Sequence, residues 1–291
     1  MQHQFGGNWT EEKLTCLKKY LYAYLQIFSK NMQAKMLHTI YVDAFAGTGY
    51  RHVKKAQDNN RELPFLDDEE AISYQKGSAH LALELNPSFK EYLFIEQSPE
   101  YSHELEHLRF KFPEKRIIIV QEDANTYLQA WCRQKDWRFT RAVIFLDPYG
   151  MQVEWNTIEA IAKTQAIDLW ILFPLGQAVN RLLTENCPPK DAWADRLTKF
   201  FGSDDWKKAF YRTCVEPTLF GEETLVLKDA DFASIEHYFI QRLKTIFPKV
   251  AENSLWLRNS RNVPIFLLCF AASNPKGAPT AVKIAQYILS Q

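Results

Sequence analysis

Residues 40–49 read Ile-Tyr-Val-Asp-Ala-Phe-Ala-Gly-Thr-Gly, and this stretch decides the fold. Its apolar start predicts a buried strand, which ends at Asp43 and leads directly into a turn that holds Gly47 and Gly49. Because glycine has no side chain and accepts positive φ angles, such a turn lets the backbone approach a ligand closely. The stretch therefore predicts a ligand site at the end of the first strand.

Short apolar runs of the same character recur along the chain and alternate with helical patterns. Continuous apolar strands separated by helices are typical of a parallel sheet that is buried on both faces. The sequence thus predicts the α/β class, with a Rossmann-like, mostly parallel sheet. The predicted strands are 40–46, 92–96, 116–121, 142–147, 168–174 and 264–272.

Two helical regions accompany the predicted sheet. Residues 11–37 form the first, with Thr10 as its N-cap, and the spacing places Lys13 to Lys19 on the solvent side. Residues 185–255 are rich in aromatics and helix-like, so we expect a helical insertion there. Residues 1–184 and 256–291 would then form the Rossmann-like domain. The apolar positions of the first helix are Leu14, Leu17, Leu21, Leu25, Phe28 and Met32.

Net charge, cysteine content and the length of the apolar runs indicate which partners and which cellular location to expect. Thirty-five basic residues balance thirty-five acidic ones, which gives no support for strong non-specific binding to nucleic acid or membranes. The five cysteines contain no C-x-x-C pair, and this fits thiols in a reducing compartment. No apolar run approaches the ~20 residues of a membrane-spanning helix, and residues 1–9 lack a signal-peptide pattern. These features predict a cytoplasmic protein without a membrane partner.

Acidic residues follow four of the predicted strands. In open α/β sheets, ligands bind beyond the carboxyl ends of the strands, so these acids would share one edge. Glu96 can accept hydrogen bonds from both ribose hydroxyls of a nucleoside cofactor, and Asp123 can accept from an adenine amino group. Asp43 can orient the glycine turn and a cationic amino-acid group. The fourth acid is Asp147.

Two other ligand classes fit the sequence less well. A nicotinamide enzyme would need a third glycine after Gly49 and an acid about 20 residues on, whereas Glu96 lies far downstream. His103 and His107 match the zinc-peptidase pattern H-E-x-x-H. However, a helix over 100–112 points both histidines away from the sheet, and no third ligand is clearly placed. We therefore predict no metal site.

The two strand-end motifs resemble those of class I S-adenosylmethionine (SAM)-dependent methyltransferases. Asp43-Ala-Phe-Ala-Gly-Thr-Gly49 resembles their D-x-F-x-G-x-G motif, and Asp147-Pro148-Tyr149-Gly150 resembles D/N-P-P-Y without its second proline. The resemblance implies that the Asp147 side chain and the Pro148 carbonyl accept two amine hydrogens, while Tyr149 stacks on the acceptor.

The resemblance also implies a set of cofactor contacts. For Phe45, packing behind the turn is the alternative to a contact with the cofactor. The predicted SAM-binding residues are Asp43, Ala44, Phe45, Ala46, Gly47, Thr48, Gly49, Glu96, Asp123 and Ala124.

Over nearly its whole length the chain also resembles the three-Cys-motif partner protein (TcmP) family. The matching segments are 41–49, 76–78, 94–96, 145–150, 168–174 and 267–277. This resemblance implies a methyltransferase-like fold and a partner protein that carries a three-cysteine, radical-SAM-like motif.

Together these features predict a SAM-dependent methyltransferase that acts on an amine-type acceptor, with nucleic acid as a candidate. The alternative is a non-catalytic scaffold of the same fold that works with the three-Cys-motif protein in defence against mobile elements. The charged segment 50–75 is either a lid over the ligand or a solvated surface loop.

Overall fold

The computed structural model describes residues 8–47, 77–218 and 221–291. Its central sheet contains five parallel strands in the order β3-β2-β1-β4-β5. Each lies close to a predicted strand, because each is a continuous apolar run. They are β1 (His38–Asp43), β2 (Glu91–Ile95), β3 (Ile117–Val120), β4 (Thr140–Leu146) and β5 (Ile167–Phe173).

An antiparallel group of strands continues the sheet beyond β5. The hairpin strands β6 (Tyr211–Thr218) and β7 (Gly221–Lys228) form a separate two-stranded sheet, whereas the later strands join the central one. Strand β10 (Pro264–Ala272) pairs with β5, and both β8 (Lys249–Val250) and β9 (Leu255–Arg258) pair with β10. The predicted Rossmann-like, mostly parallel α/β fold is therefore confirmed.

Helices cover both faces of this sheet. A π-helical turn (Leu175–Val179) follows β5. The α-helices are α1 (Asn8–Lys30), α2 (Met32–Lys35), α3 (Ser78–Leu83), α4 (Pro99–Lys111), α5 (Ala124–Gln134), α6 (Trp155–Lys163), α7 (Asn180–Leu182), α8 (Asp191–Phe201), α9 (Trp206–Phe210), α10 (Phe232–Lys244) and α11 (Ala278–Leu289).

The strand residues alternate between two hydrophobic clusters. Ile144 and Leu146 of β4 pack in one cluster with α5, α6, α8 and α10. Val143 and Phe145 pack in the other with α1, α3, α4 and α11. Since successive side chains of a strand point to opposite faces, Asp147 continues the row of Phe145 and faces α1.

The N-terminal helix differs from its prediction in three ways. Thr10 lies within the helix and is not its N-cap, because α1 already includes Asn8. The helix ends at Lys30, because the Asn31 side chain accepts hydrogen bonds from the amides of Gln33 and Ala34 and so starts α2. The placement of Lys13 on the solvent side is wrong, since its side chain is completely buried.

The segment 185–255 contains the predicted helices but also the β6–β7 hairpin, which was not predicted. β-branched residues recur in both hairpin strands, as at Thr213 and Val226, and favour extended structure. The aromatic residues of the segment pack into the main core, where the ring of Phe239 lies 4.3 Å from that of Phe173 on β5. The division into two domains stays a prediction.

Three further findings concern membranes and metals. No helix in the described part of the chain is long and apolar enough to cross a membrane. His103 and His107 are exposed on α4, and the described residues contain no group of three or more side chains arranged to hold a metal ion. All five cysteines are free thiols.

Replacing Gly202 by alanine should destabilise the fold. Gly202 ends α8 with φ of +71°, and a Cβ atom there would lie 2.1 Å from Cδ1 of Trp155. The left-handed backbone and the overpacking together predict a loss of about 2–4 kcal/mol in unfolding free energy, measured by urea titration.

Gly277→Ala is the matched control for this substitution. Gly277 has φ of −88°, and its added Cβ would meet only the amide end of the Asn274 side chain, at 3.0 Å. Equal stability of the G202A and G277A variants would contradict the description of the α8 terminus.

Candidate functional site

The chain leaves β1 in a turn that contacts both neighbouring strands. The amide of Ala44 donates to the Phe145 carbonyl (3.2 Å) on one side, and that of Ala46 donates to the Ile95 carbonyl (3.1 Å) on the other. Gly47 follows with φ of +32°, a value that favours glycine. The turn therefore lies across the carboxyl ends of β1, β2 and β4. Thr48, Gly49 and the segment 50–75 lie outside the described residues.

Glu96 joins this turn to the end of β2. Its Oε2 accepts a hydrogen bond from the Gly47 amide (2.9 Å), and its Oε1 accepts one from the Ser98 amide (2.8 Å). The side chain is half-buried, so it still reaches solvent. The structure thus brings together the predicted ribose-binding acid and the predicted glycine turn.

Asp43 lies beneath the turn and is completely buried. Burial raises the pKa of its carboxyl to about 6, while the Ser78 hydroxyl and the Lys13 charge act in the opposite direction. The Tyr41 hydroxyl donates to its Oδ2 at 3.3 Å. Phe45, two residues further on, is partly buried against the core. This packing matches the alternative to a cofactor contact that the sequence analysis gave for Phe45.

Asp123 follows β3 and caps helix α5. Its Oδ1 accepts hydrogen bonds from the amide (2.9 Å) and the hydroxyl (3.0 Å) of Thr126. This capping is a structural role that the sequence analysis did not consider, although S/T/D/N residues are the usual N-caps. Ala124 is buried in the core beside it. The contact of Asp123 with adenine stays a prediction.

A buried ion pair occupies the end of β4. Nζ of Lys13, on α1, lies 2.6 Å from Oδ2 of Asp147. The Lys13 ammonium also lies 5.9 Å from the Trp9 ring and 5.6 Å from the Phe145 ring. The other oxygen of Asp147, Oδ1, is buried and has no hydrogen-bond partner among the described residues. The carboxylate can therefore accept one more donor.

Burial moves the pKa values of Lys13 and Asp147 close to neutral pH. It raises the pKa of Asp147 to about 7 and lowers the pKa of Lys13 to about 8, while the opposite charge of each partner acts against both shifts. The negative charge of Asp43 raises the pKa of Asp147 further. A pair with such pKa values can hold or release a proton near neutral pH.

The residues after Asp147 form a tight turn. The Gly150 amide donates to the Pro148 carbonyl (3.1 Å), and Gly150 has φ of +88°. The Tyr149 amide donates to Oε1 of Gln152 (2.8 Å), and Tyr149 is half-buried. Since the Pro148 carbonyl already accepts one bond, only its second lone pair is left for the predicted amine contact.

Lys13 is the site residue that sequence reasoning missed. It lies four residues after Trp9 and four before Leu17, in the middle of the buried stripe of α1. A lysine within an apolar stripe indicates either a side chain that snorkels to solvent or a buried charge with a partner. The lysine that interrupts the apolar stripe was the available signal, but the acid that pairs with it could be identified only from the fold.

Comparisons with known proteins support the fold. Protein LPL1258 from Legionella pneumophila, of the family DUF519, is 14% identical, with a TM-score of 0.52, over 99% of this chain and 93% of its own. No family model and no curated protein matches the chain. Membership of the TcmP family is therefore not shown.

More distant solved structures include methyltransferases. A SAM-dependent methyltransferase from Clostridium acetobutylicum is 10% identical over 88% of this chain and 91% of its own, with a TM-score of 0.37. An rRNA methylase from Streptococcus thermophilus is 12% identical over 68% of this chain and 91% of its own, with a TM-score of 0.28.

Replacing Lys13 by methionine should destabilise the protein in a pH-dependent way. The folded pKa of Asp147, about 7, exceeds the unfolded value, so protonated Asp147 contributes stability that is complete below the unfolded pKa and lost as the pH rises through 7. Without the lysine this pKa rises further. We expect K13M to lose about 3–5 kcal/mol of unfolding free energy near pH 8 and clearly less near pH 5.5, measured by urea titration.

The control is Lys18→Met, on the same helix, because Lys18 is exposed. A K13M penalty that is equally large at both pH values, or no larger than that of K18M, would contradict the buried ion pair.

Proposed function

We propose that the protein is a SAM-dependent methyltransferase that acts on an amine-type acceptor. The observation that carries this proposal is Asp147, a buried carboxylate with one oxygen held by Lys13 and the other without a partner in the described part of the chain. It lies two residues beyond Phe145, which pairs with Asp43 at the start of the Gly47 turn. The Gly47 turn, which would contact the nucleoside, and the acceptor motif at Asp147 thus follow two adjacent strands, β1 and β4.

The residues at the β1 and β2 ends fit the cofactor. Gly47, with its positive φ, keeps the turn free of a side chain, and the half-buried Glu96 carboxylate beside it can also bond ribose hydroxyls. Asp43 supplies negative charge for the cationic methionine end, and Asp123 reaches the adenine edge with its Oδ2. When bound, SAM supplies an electrophilic methyl group on a sulfonium.

The chain itself orients the acceptor and moves its proton. Oδ1 of Asp147 accepts a hydrogen bond from the amine, which directs the nitrogen lone pair away from the carboxylate. Lys13 fixes Oδ2, and its charge opposes the rise in the pKa of Asp147 that burial causes. The Lys13–Asp147 pair takes up the proton that the amine releases, since its pKa values lie near neutrality. Placement of the acceptor supplies the rest of the rate enhancement.

Aromatic amines of nucleic acid are the acceptors that we favour. The support is the D-P-Y-G motif, in which half-buried Tyr149 stands beside Asp147 and can stack on a base. The neutral net charge indicates that the protein recognises a local structure and does not bind nucleic acid indiscriminately.

A non-catalytic scaffold is the second candidate, and one observation favours it. The Lys13 ammonium already occupies one oxygen of the acceptor acid, so the pair could be a purely structural link between α1 and β4. In this case the protein would act through the three-Cys-motif partner that the TcmP resemblance implies. For either function we propose a cytoplasmic location.

Cofactor binding is tested first by thermal unfolding with S-adenosylhomocysteine (SAH). A ligand at ~100 times its dissociation constant adds about 2.7 kcal/mol of stability. We expect the wild type to show this shift and Glu96→Ala to reduce the affinity at least tenfold, because the ribose contact is lost. Glu100→Ala, an exposed acid in the first turn of α4, is the control. If SAH stabilises the E96A variant as much as the wild type, Glu96 does not bind the cofactor.

Methyl transfer is tested with radiolabelled SAM on DNA, RNA and total cell protein, with and without the three-Cys-motif protein. We expect Asp147→Asn to abolish incorporation while its SAH affinity stays within a few-fold of wild type, since Asp147 serves the acceptor and not the cofactor. Incorporation that depends on Asp147 excludes the scaffold. If every fraction stays unlabelled although SAH binds, the scaffold becomes the better proposal, and a pull-down of the partner follows.

A further inference from the structure

A cavity lies at the opposite edge of the sheet from the proposed methyl-transfer site. It encloses about 190 Å³, room for roughly six waters, between the second half of α1 and the start of α11. It is lined by Asp168, the second residue of β5, and by Arg141, the second residue of β4. These positions are the amino ends of parallel strands, whereas Asp147 follows a carboxyl end.

The cavity contains an acid with incomplete hydrogen bonding. Oδ2 of Asp168 accepts a hydrogen bond from the Tyr20 hydroxyl at 2.6 Å. No hydrogen bond to its Oδ1 is found within the described ranges, so this oxygen can accept from a ligand. The Tyr24 hydroxyl is buried beside it and has no hydrogen-bond partner among the same residues. Since buried polar groups are normally paired, the Tyr24 hydroxyl indicates a missing polar ligand.

Positive charge borders the same cavity. The Arg141 guanidinium donates through one nitrogen, Nη1, to the carbonyls of Trp137 and Thr140. Burial raises the pKa of Asp168, and the Arg141 charge acts in the opposite direction, yet the two side chains form no ion pair within the described part of the chain. An acid and a base that face one cavity without touching leave space for a ligand between their charges.

The amino end of α11 also lines the cavity. Its N-cap is Gly277, and both Gly277 and Thr280 of the first turn line the cavity. The amide of Ala278 already donates to the Asn274 carbonyl, and Pro279 has no N–H group. The positive end of the helix dipole is therefore the feature that favours a carboxylate here. Apart from Asn274, the remaining walls are apolar and include Phe28 and Ile284.

We propose that this cavity binds an apolar α-amino acid as a zwitterion. Its ammonium group donates to Oδ1 of Asp168, and its carboxylate lies between Arg141 and the α11 amino end. Its side chain packs against Phe28 and Ile284. The Tyr24 hydroxyl provides the remaining hydrogen bond. This binding site is separate from the methyl-transfer site and does not depend on the proposed methyltransferase activity.

The test is isothermal titration calorimetry of the full chain with L-leucine. Two probes each lack one charge: 3-methylbutylamine has no carboxylate, and 4-methylpentanoate has no ammonium. We expect leucine to bind and each probe to bind at least tenfold more weakly, because each loses one charged contact. Saturating SAH should leave the leucine affinity unchanged.

Variants locate the binding. Asp168→Asn, which keeps an oxygen for the Tyr20 hydroxyl, should weaken leucine binding at least tenfold, and Tyr24→Phe should weaken it several-fold. Tyr22→Phe, an exposed tyrosine on the same helix, is the control. If D168N fails to fold, the proposal is tested by the leucine affinity of Y24F and by the affinity of the wild type for the two single-charge probes. Absence of leucine binding, equal binding of a single-charge probe, or displacement by SAH would overturn the proposal.

Discussion

A buried ion pair between Lys13 and Asp147 connects the N-terminal helix to the end of a central strand, and the proposed chemistry depends on it. Two opposite charges are removed from water at a separation of 2.6 Å, and the charge of each opposes the neutralisation of the other that burial favours. Breaking such a pair leaves one uncompensated buried charge, which is strongly destabilising. Helix α1 is therefore part of the site as well as part of the core.

The same helix reaches both edges of the sheet. Lys13, near its start, meets Asp147 at the carboxyl edge, while Tyr20 bonds Asp168 at the opposite edge. Asp43, Asp147 and Asp168 are all buried, and burial raises the pKa of each. All three lie on the strand face that α1 covers, because the alternation of side chains puts Phe145 and Trp170 there. One helix thus satisfies acids that belong to two separate sites.

Much of this architecture could be predicted from the sequence, since it depends on local patterns. The continuous apolar runs predicted the strands, and the glycine turn and Glu96 were predicted to lie at the same edge of the sheet, where the Gly47–Glu96 hydrogen bond joins them. Lys13 could not be assigned in this way, because its partner is 134 residues away and becomes apparent only in the fold. The β6–β7 hairpin was missed for a similar reason: its strands pair mainly with each other, and their aromatic neighbours resemble helical stripes.

A crystal structure of the SAH complex tests the central claim most directly, namely that the strand ends form one nucleoside and acceptor site. The account predicts that the ribose hydroxyls lie within hydrogen-bonding distance of Glu96 and that the sulfur faces Asp147. It also predicts that the Lys13–Asp147 contact persists. SAH bound at another edge of the sheet, or a ribose without a contact to Glu96, would contradict the account.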